Sequence, residues 1–305
     1  MKFNVSLPLV LLPIASIASA HSTHSVPVFL THFYVALDQP TYDAMLKSPE
    51  IAALAAVEEK HVTAGDESWT GFYVTGRQTY MEFFAAGALQ KGMRVGDCGL
   101  ALTVEESGGV AEIADRLRTR FGDKVEVDTT PAKTDTGMVP WFQSADLKTD
   151  GPQVLSTWFM EIDPGFLAAI HPGAAIEHPL SRQQYMSWKF LPDHPLDNVV
   201  ALTLRLKKID RSQLAAELGL AGWKVSVTRS GFLATGPDIK VTVAPAAGRE
   251  GIQLIEMRLR KSVPKQEVVL GTAKLHLEGT AGQLIFWPIG QSLHGKVAVR
   301  TMGAV

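Results

Sequence analysis

Two polar side chains stand out because each is set in an otherwise apolar or aromatic stretch. Over residues 80–84, strand alternation puts Tyr80, Glu82 and Phe84 on one face and Met81 and Phe83 on the other. Glu82 therefore points where aromatic rings point. A carboxylate there must be paired, protonated or bound to a metal, because burying it alone costs several kcal/mol or drives its pKa upward. Upstream, residues 28–37 form a second run of this kind, in which His32, Tyr34 and Ala36 share a face. An imidazole and a carboxylate brought to one cavity from two strands suit a divalent ion such as Zn, Fe, Mn or Ni. The same two groups also make a plain hydrogen-bonded pair inside a satisfied core.

The elements that must position this pair are legible around it. Within residues 67–84, two strand-like runs flank residues 75–78 and read as a β-hairpin. Residues 41–57 are rich in Ala and Leu and suit a helix, which Pro49 breaks into two short pieces. Residues 57–63 then read as a strand. Trp69, Phe72 and Tyr73 open the hairpin, as core or as pocket wall.

Taken in order, a His32-bearing strand, a helix start after Asp38, a strand through Ser68, Trp69 and Tyr73 and a strand carrying Glu82 resemble a glyoxalase-like module of the vicinal oxygen chelate (VOC) superfamily. The resemblance covers about residues 28–85, and within the superfamily it is to an uncharacterised secreted glyoxalase-like group. It implies an α+β fold of paired βαβββ modules, with a metal held by His or Gln on the first strand and Glu on the last strand of each. On this chain that pattern falls on His32 and Glu82.

A second module is expected from residue 100 onward, with a helix at 110–121 and strands at 125–128, 138–142 and 156–163. Glu161 takes in it the place of Glu82. Its opening strand departs from the pattern, with Cys98, Gly99 and Leu100 where a histidine belongs. The expected metal set is therefore His32, Glu82 and Glu161, with Cys98 either a substitute thiolate or a small buried hydrophobe. Residues 28–163 thus form a paired-module domain. Residues 164–197, with three His-Pro pairs, read as a connecting or pocket-covering segment. Residues 198–290 form a second α+β domain, with a strand, a helix at 211–218 and strands at 223–228, 238–243 and 251–259. This reads either as a third VOC-type half, with Glu256 where Glu82 stands in the first, or, since no histidine sits on its opening strand and Arg258 and Arg260 share the face of Glu256, as a surface ion-pair strand, which is the favoured reading.

The 305-residue chain is 46% hydrophobic, enough for a substantial core. Its first 20 residues, an apolar run ending in Ala18-Ser19-Ala20, read as a secretory signal peptide, so a periplasmic or secreted protein is expected, with no membrane anchor after cleavage. The remaining chain carries 28 basic and 31 acidic residues, a net charge of −3 that offers nothing to nucleic acid. Cys98 is the sole cysteine, so no internal disulfide forms.

Two function classes follow from the resemblance. One is an exported metal-dependent enzyme of isomerase, lyase or dioxygenase type acting on a small oxygen-bearing substrate, with Glu82 and Glu161 as the catalytic carboxylates. The other is a non-catalytic VOC-fold protein that sequesters a small apolar or aromatic molecule. In both, Tyr34, Trp69, Tyr80 and Trp158 line the cleft. The modules pair either within the chain or across a homodimer.

Overall fold

The computed structural model describes residues 26–64, 67–89, 92–135, 137–149 and 153–287. The expected signal peptide and the tail from residue 288 lie outside them. Among the described residues no helix is long and apolar enough to cross a membrane.

The first module runs β1 (Val28–Leu37), α1 (Gln39–Leu46), α2 (Pro49–Leu54), β2 (Ala56–Ala64), β3 (Glu67–Thr75) and β4 (Tyr80–Ala85). Local chemistry sets the two helices. Asp38 caps α1 by accepting from Thr41 N, Ser48 caps α2 by accepting from Ile51 N, and a proline stands in the first turn of each. The second module runs β5 (Cys98–Val104), α3 (Gly109–Phe121), β6 (Val125–Thr134), β7 (Gly137–Leu147) and β8 (Leu155–Ile162). In each module the first strand pairs in parallel with the last, β1 with β4 and β5 with β8. Antiparallel pairing of β1 with β5 and of β2 with β6 closes the eight strands into a barrel, in the order β1-β4-β3-β2-β6-β7-β8-β5. The fold is α+β with paired βαβββ modules, and they pair within the chain.

A third βαβββ unit follows, β9 (Leu196–Leu206), α4 (Lys208–Leu220), β10 (Lys224–Thr228), β11 (Gly231–Thr235) and β12 (Lys240–Pro245), again with its first and last strands parallel. A long hairpin, β13 (Gly251–Leu270) and β14 (Ala273–Phe286), extends it to a six-stranded sheet ordered β10-β11-β12-β9-β13-β14. Strand β12 ends the unit, so Glu256, on β13, does not hold the position of Glu82. It lies between Ala201 and Gln283 in the sheet, and Gln283 Nε2 donates to its Oε1 at 3.3 Å. Strand β11 has no counterpart among the expected strands. Its five residues follow β10 after a two-residue turn, too short a break to separate the runs by composition.

The barrel and the second sheet share one apolar core. Phe33, Val35, Leu100 and Leu102 on the barrel's outer face meet Ile113 and Leu117 of α3 together with Leu202, Leu204, Ile252 and Ile255 of the sheet. Each such buried side chain contributes roughly 1.5–3 kcal/mol. Trp223 Nε1 adds a hydrogen bond to Val28 O at 2.9 Å, so the divisions at 28–163 and 198–290 meet in a packed interface. The intervening 164–197 holds two short helices, Pro164–Ile170 and Arg182–Ser187; Leu167 and Met186 on them and Leu180 between them bury against Met160 and Ile162 of β8 or line the barrel mouth. Arg182 pins the segment: it bonds Glu105, Leu30 O and Asp238, and its guanidinium lies over the Phe29 ring.

Candidate functional site

One irregularity aims the first strand. The β1–β5 register shifts between Leu30 and His32, a bulge that takes up Thr31 and resets the alternation. Leu30, Phe33 and Val35 thereby all enter the outer core, while His32 and Tyr34 turn into the barrel. On β4 the parity is as the alternation predicts, with Met81 and Phe83 outside and Tyr80, Glu82 and Phe84 inside.

The barrel encloses a chamber of about 150 Å³ lined by His32, Tyr34, Trp69, Tyr80, Glu82, Leu89, Trp141, Phe142, Trp158 and Met160. His32 Nε2 and Glu82 Oε1 stand 4.0 Å apart, with side chains 7% and 12% exposed. This is close enough to interact and too long for a direct hydrogen bond. The imidazole stacks on Tyr80, with centroids 4.3 Å apart and planes 16° apart, and meets the Trp158 ring edge-on at 5.5 Å. Its Nδ1 is buried without a hydrogen-bond partner. Tyr34 stacks against Trp158 at 6.2 Å and its hydroxyl donates to Ser156 Oγ at 3.3 Å.

Burial dominates the electrostatics. It pushes His32 down to about 3 and Glu82 up to about 8, with a Tyr80 hydrogen bond and Lys60 only partly opposing the latter. Near neutral pH the chamber therefore holds an uncharged imidazole beside a protonated carboxyl group.

A larger cleft of about 380 Å³ opens outside, walled by β2, β3 and the 164–197 segment, and shares Trp69, Tyr80, Glu82 and Trp141 with the chamber. Trp69 Nε1 donates to Tyr73 OH at 2.9 Å and Trp141 Nε1 to Tyr185 OH at 3.0 Å. Polar edges of the shared rings are thereby tied to the cleft walls.

The structure brings together six of the seven expected site residues, His32, Tyr34, Trp69, Tyr80, Glu82 and Trp158. Glu161 is the correction. On β8, Trp158 and Met160 face the chamber, so Glu161 faces away, and its carboxylate accepts from Gly108 N at 2.9 Å and Val110 N at 3.4 Å at the start of α3. It serves as a helix cap and lies outside the cavity. Cys98 is also turned away: it is fully buried in the outer core, and burial raises its thiol to about 12.

Inward positions of the second module carry Gly99, Ser156, Trp158 and Met160. Gly99 is required there by space, for a Cβ would stand 2.2 Å from Tyr34 Cε1 and 2.8 Å from Trp158 Cζ3. Among the described residues no group of three His, Cys, Asp or Glu forms that suits a metal ion. The chamber's donors, His32 and Glu82, fall short of the ligand set that the resemblance implies. Trp141, Phe142 and Gly99 were not foreseen as site residues. Trp141 and Phe142 are adjacent on β7, so strand alternation could point to at most one of them.

A search of curated proteins finds no match. Among solved structures, a hypothetical protein from Staphylococcus aureus is similar in fold, with a TM-score of 0.52 at 9% identity over 80% of this chain and 95% of that one. A 2,2',3-trihydroxybiphenyl 1,2-dioxygenase from the dibenzofuran-degrading Sphingomonas wittichii strain RW1 aligns with a TM-score of 0.39 at 10% identity, over 86% and 92% of the two chains. A xylose isomerase-like TIM barrel/4-hydroxyphenylpyruvate dioxygenase fusion protein aligns at 0.37 and 7% identity, over 73% of this chain and 35% of that one. Neither of these two likenesses is close enough to lend chemistry to this chain. Over residues 30–286 the sequence matches the family of unknown function DUF5829, and the chain belongs to that family.

Proposed function

We propose that the barrel is a binding chamber for one small, planar, oxygen-bearing aromatic molecule. The observation that carries this reading is the state of His32, a neutral imidazole that lines a chamber of rings while its buried Nδ1 lacks a partner. Leaving such an atom unpaired costs about 1–3 kcal/mol, and a ligand hydroxyl or carbonyl that reaches it as the surrounding side chains give way would offset that cost. Protonated Glu82 supplies a hydrogen-bond donor beside it, and Tyr34, Trp69 and Trp158 offer stacking faces. An uncharged donor and acceptor favour a neutral ring, since a charged one would be desolvated without a counter-ion.

The enzyme reading retains one supporting observation. A carboxyl titrating near pH 8 beside an imidazole is placed to move a proton at neutral pH, as isomerase and lyase chemistry require. The donor set does not fit a resident divalent metal, so no step is routed through one. The expected export to a periplasm or beyond is part of the same proposal, with the chamber acting on molecules met there.

The test is a tryptophan-fluorescence titration of EDTA-dialysed protein with 1-naphthol. We expect saturable binding at one molecule per chain, and a weakening of about tenfold in His32→Phe, the equivalent of one hydrogen bond. Absence of saturation, or equal affinity in the variant, would refute the reading.

A further inference from the structure

The outer cleft differs from the chamber in charge. Lys60, Lys133 and Lys189 line it, against the carboxylate of Glu58 and the protonated Glu82 at its floor. Lys60 Nζ and Lys189 Nζ approach the same oxygen, Glu58 Oε2, at 3.2 and 2.8 Å. Two ammonium groups thus share one carboxylate, and a positive charge is left over at the mouth of an otherwise aromatic path. Burial holds the Lys60 ammonium below the usual lysine range even with Glu58 beside it. An anion arriving there would offset that desolvation.

A row of neighbouring rings runs inward from the cleft. Lys60 Nζ stands 5.5 Å from the centroid of the Tyr73 ring, Tyr73 lies 6.3 Å from Tyr80, and Tyr80 stacks on His32 at 4.3 Å. The cleft and the chamber share Trp69, Tyr80, Glu82 and Trp141 as walls, so a molecule that displaces these side chains would reach from one into the other. His171, the other ionisable ring near Lys189, stacks on Trp188 and is held toward its neutral form, so it does not compete for the anion.

We infer that the outer cleft is an anion subsite, and that the molecule whose ring enters the barrel carries a carboxylate on a short arm, met by Lys60 and Lys189. This rests on the barrel reading above, and it narrows the ligand class from planar aromatics to aryl-alkyl or aryl-alkenyl carboxylates.

The experiment compares each acid with its own amide, a pair of equal shape and different charge. Calorimetric titration at low salt would use cinnamate with cinnamamide and 3-phenylpropanoate with 3-phenylpropanamide. We expect each carboxylate to bind about tenfold tighter than its amide, as one partly solvated charge contact supplies. That preference should shrink when NaCl is raised from about 0.02 M to about 0.5 M. It should fall toward unity in the double variant Lys60→Gln, Lys189→Gln, with near-UV circular dichroism confirming its fold.

Equal affinity for acid and amide in wild type overturns the anion subsite and leaves the barrel reading standing. A preference that survives both salt and the double variant overturns it as well. If neither member of either pair binds while 1-naphthol also fails, both readings fall.

Discussion

Replacing Glu82 by Gln keeps the shape of the side chain and removes its titration, and the consequence for stability follows from where the carboxyl sits. In the unfolded chain it titrates near 4.5, whereas burial raises it to about 8 in the fold. Between those values the folded protein holds a proton that the unfolded chain has released, so the contribution of Glu82 to stability falls as pH rises. At about 1.36 kcal/mol per pH unit over an interval of about 3.5 units, wild type loses on the order of 5 kcal/mol that Glu82→Gln retains.

Other groups titrate across this range in one state or the other. His32, lowered from 6.5 to about 3, destabilises the fold as pH falls below 6.5. Glu217 and Asp146, raised by burial to about 7 and about 6, add slopes of the same sign as Glu82. Glu217 and Asp146 have the same surroundings in both proteins and cancel in the difference, and His32, neutral in the fold above about pH 5 in both, drops out as well. Urea unfolding of both proteins from about pH 5 to about pH 8, with m-values compared, gives that difference directly. The variant should gain steadily on wild type as pH rises. Parallel curves would show that Glu82 ionises in the fold at its ordinary value, and the account of a neutral chamber would be wrong.

Three further outcomes are expected. Gly99→Ala drives a methyl into the Tyr34 and Trp158 rings and should cost about 1–3 kcal/mol as overpacking, with loss of 1-naphthol binding in a fluorescence titration. Glu161→Ala removes the cap of α3 and should lower stability by about 1 kcal/mol in urea while leaving 1-naphthol and divalent-metal titrations unchanged. Intact-mass measurement of exported protein should give a chain beginning at His21; retention of residues 1–20 would contradict the export reading.

What the sequence made visible was mostly local. Alternation around His32 and Glu82 places both in one cavity, because each strand's parity is a property of adjacent residues, and the Thr31 bulge lies before His32, leaving the parity of His32, Tyr34 and Ala36 intact. Glu161 went wrong by a different route. It was matched to Glu82 by its place in a module, although Trp158, three residues away on the same strand, was also assigned to the cleft. Without a bulge between them, two residues an odd number apart on a regular strand do not share a face. The idea that Glu256 takes the place of Glu82, set against a surface ion-pair strand, does not hold, because β11 is too short to see in the sequence and its omission shifts every later strand by one place in the module. For residues 164–197 the sequence leaves a connecting and a pocket-covering segment both open, since the order of the segment comes from distant partners, Arg182 reaching residues 77, 152 and 56 positions away. Asp163 and Ser181, which cap its two helices, were its local signals. The charge of the outer cleft has the same origin, since Lys60 and Lys189 meet at Glu58 only after the chain folds over.

The most direct test of a ligand chamber between His32 and Trp158 is to follow the tryptophan indole N–H resonances in ¹H–¹⁵N spectra while 1-naphthol is added. Trp69, Trp141 and Trp158 line the chamber, whereas Trp223 donates to Val28 O in the core between barrel and sheet and serves as an internal reference. The account predicts saturable shifts at Trp158, Trp69 and Trp141, with Trp223 unmoved. Shifts confined to Trp223 or to Trp287, with Trp158 unchanged at saturation, would place the ligand elsewhere and contradict it.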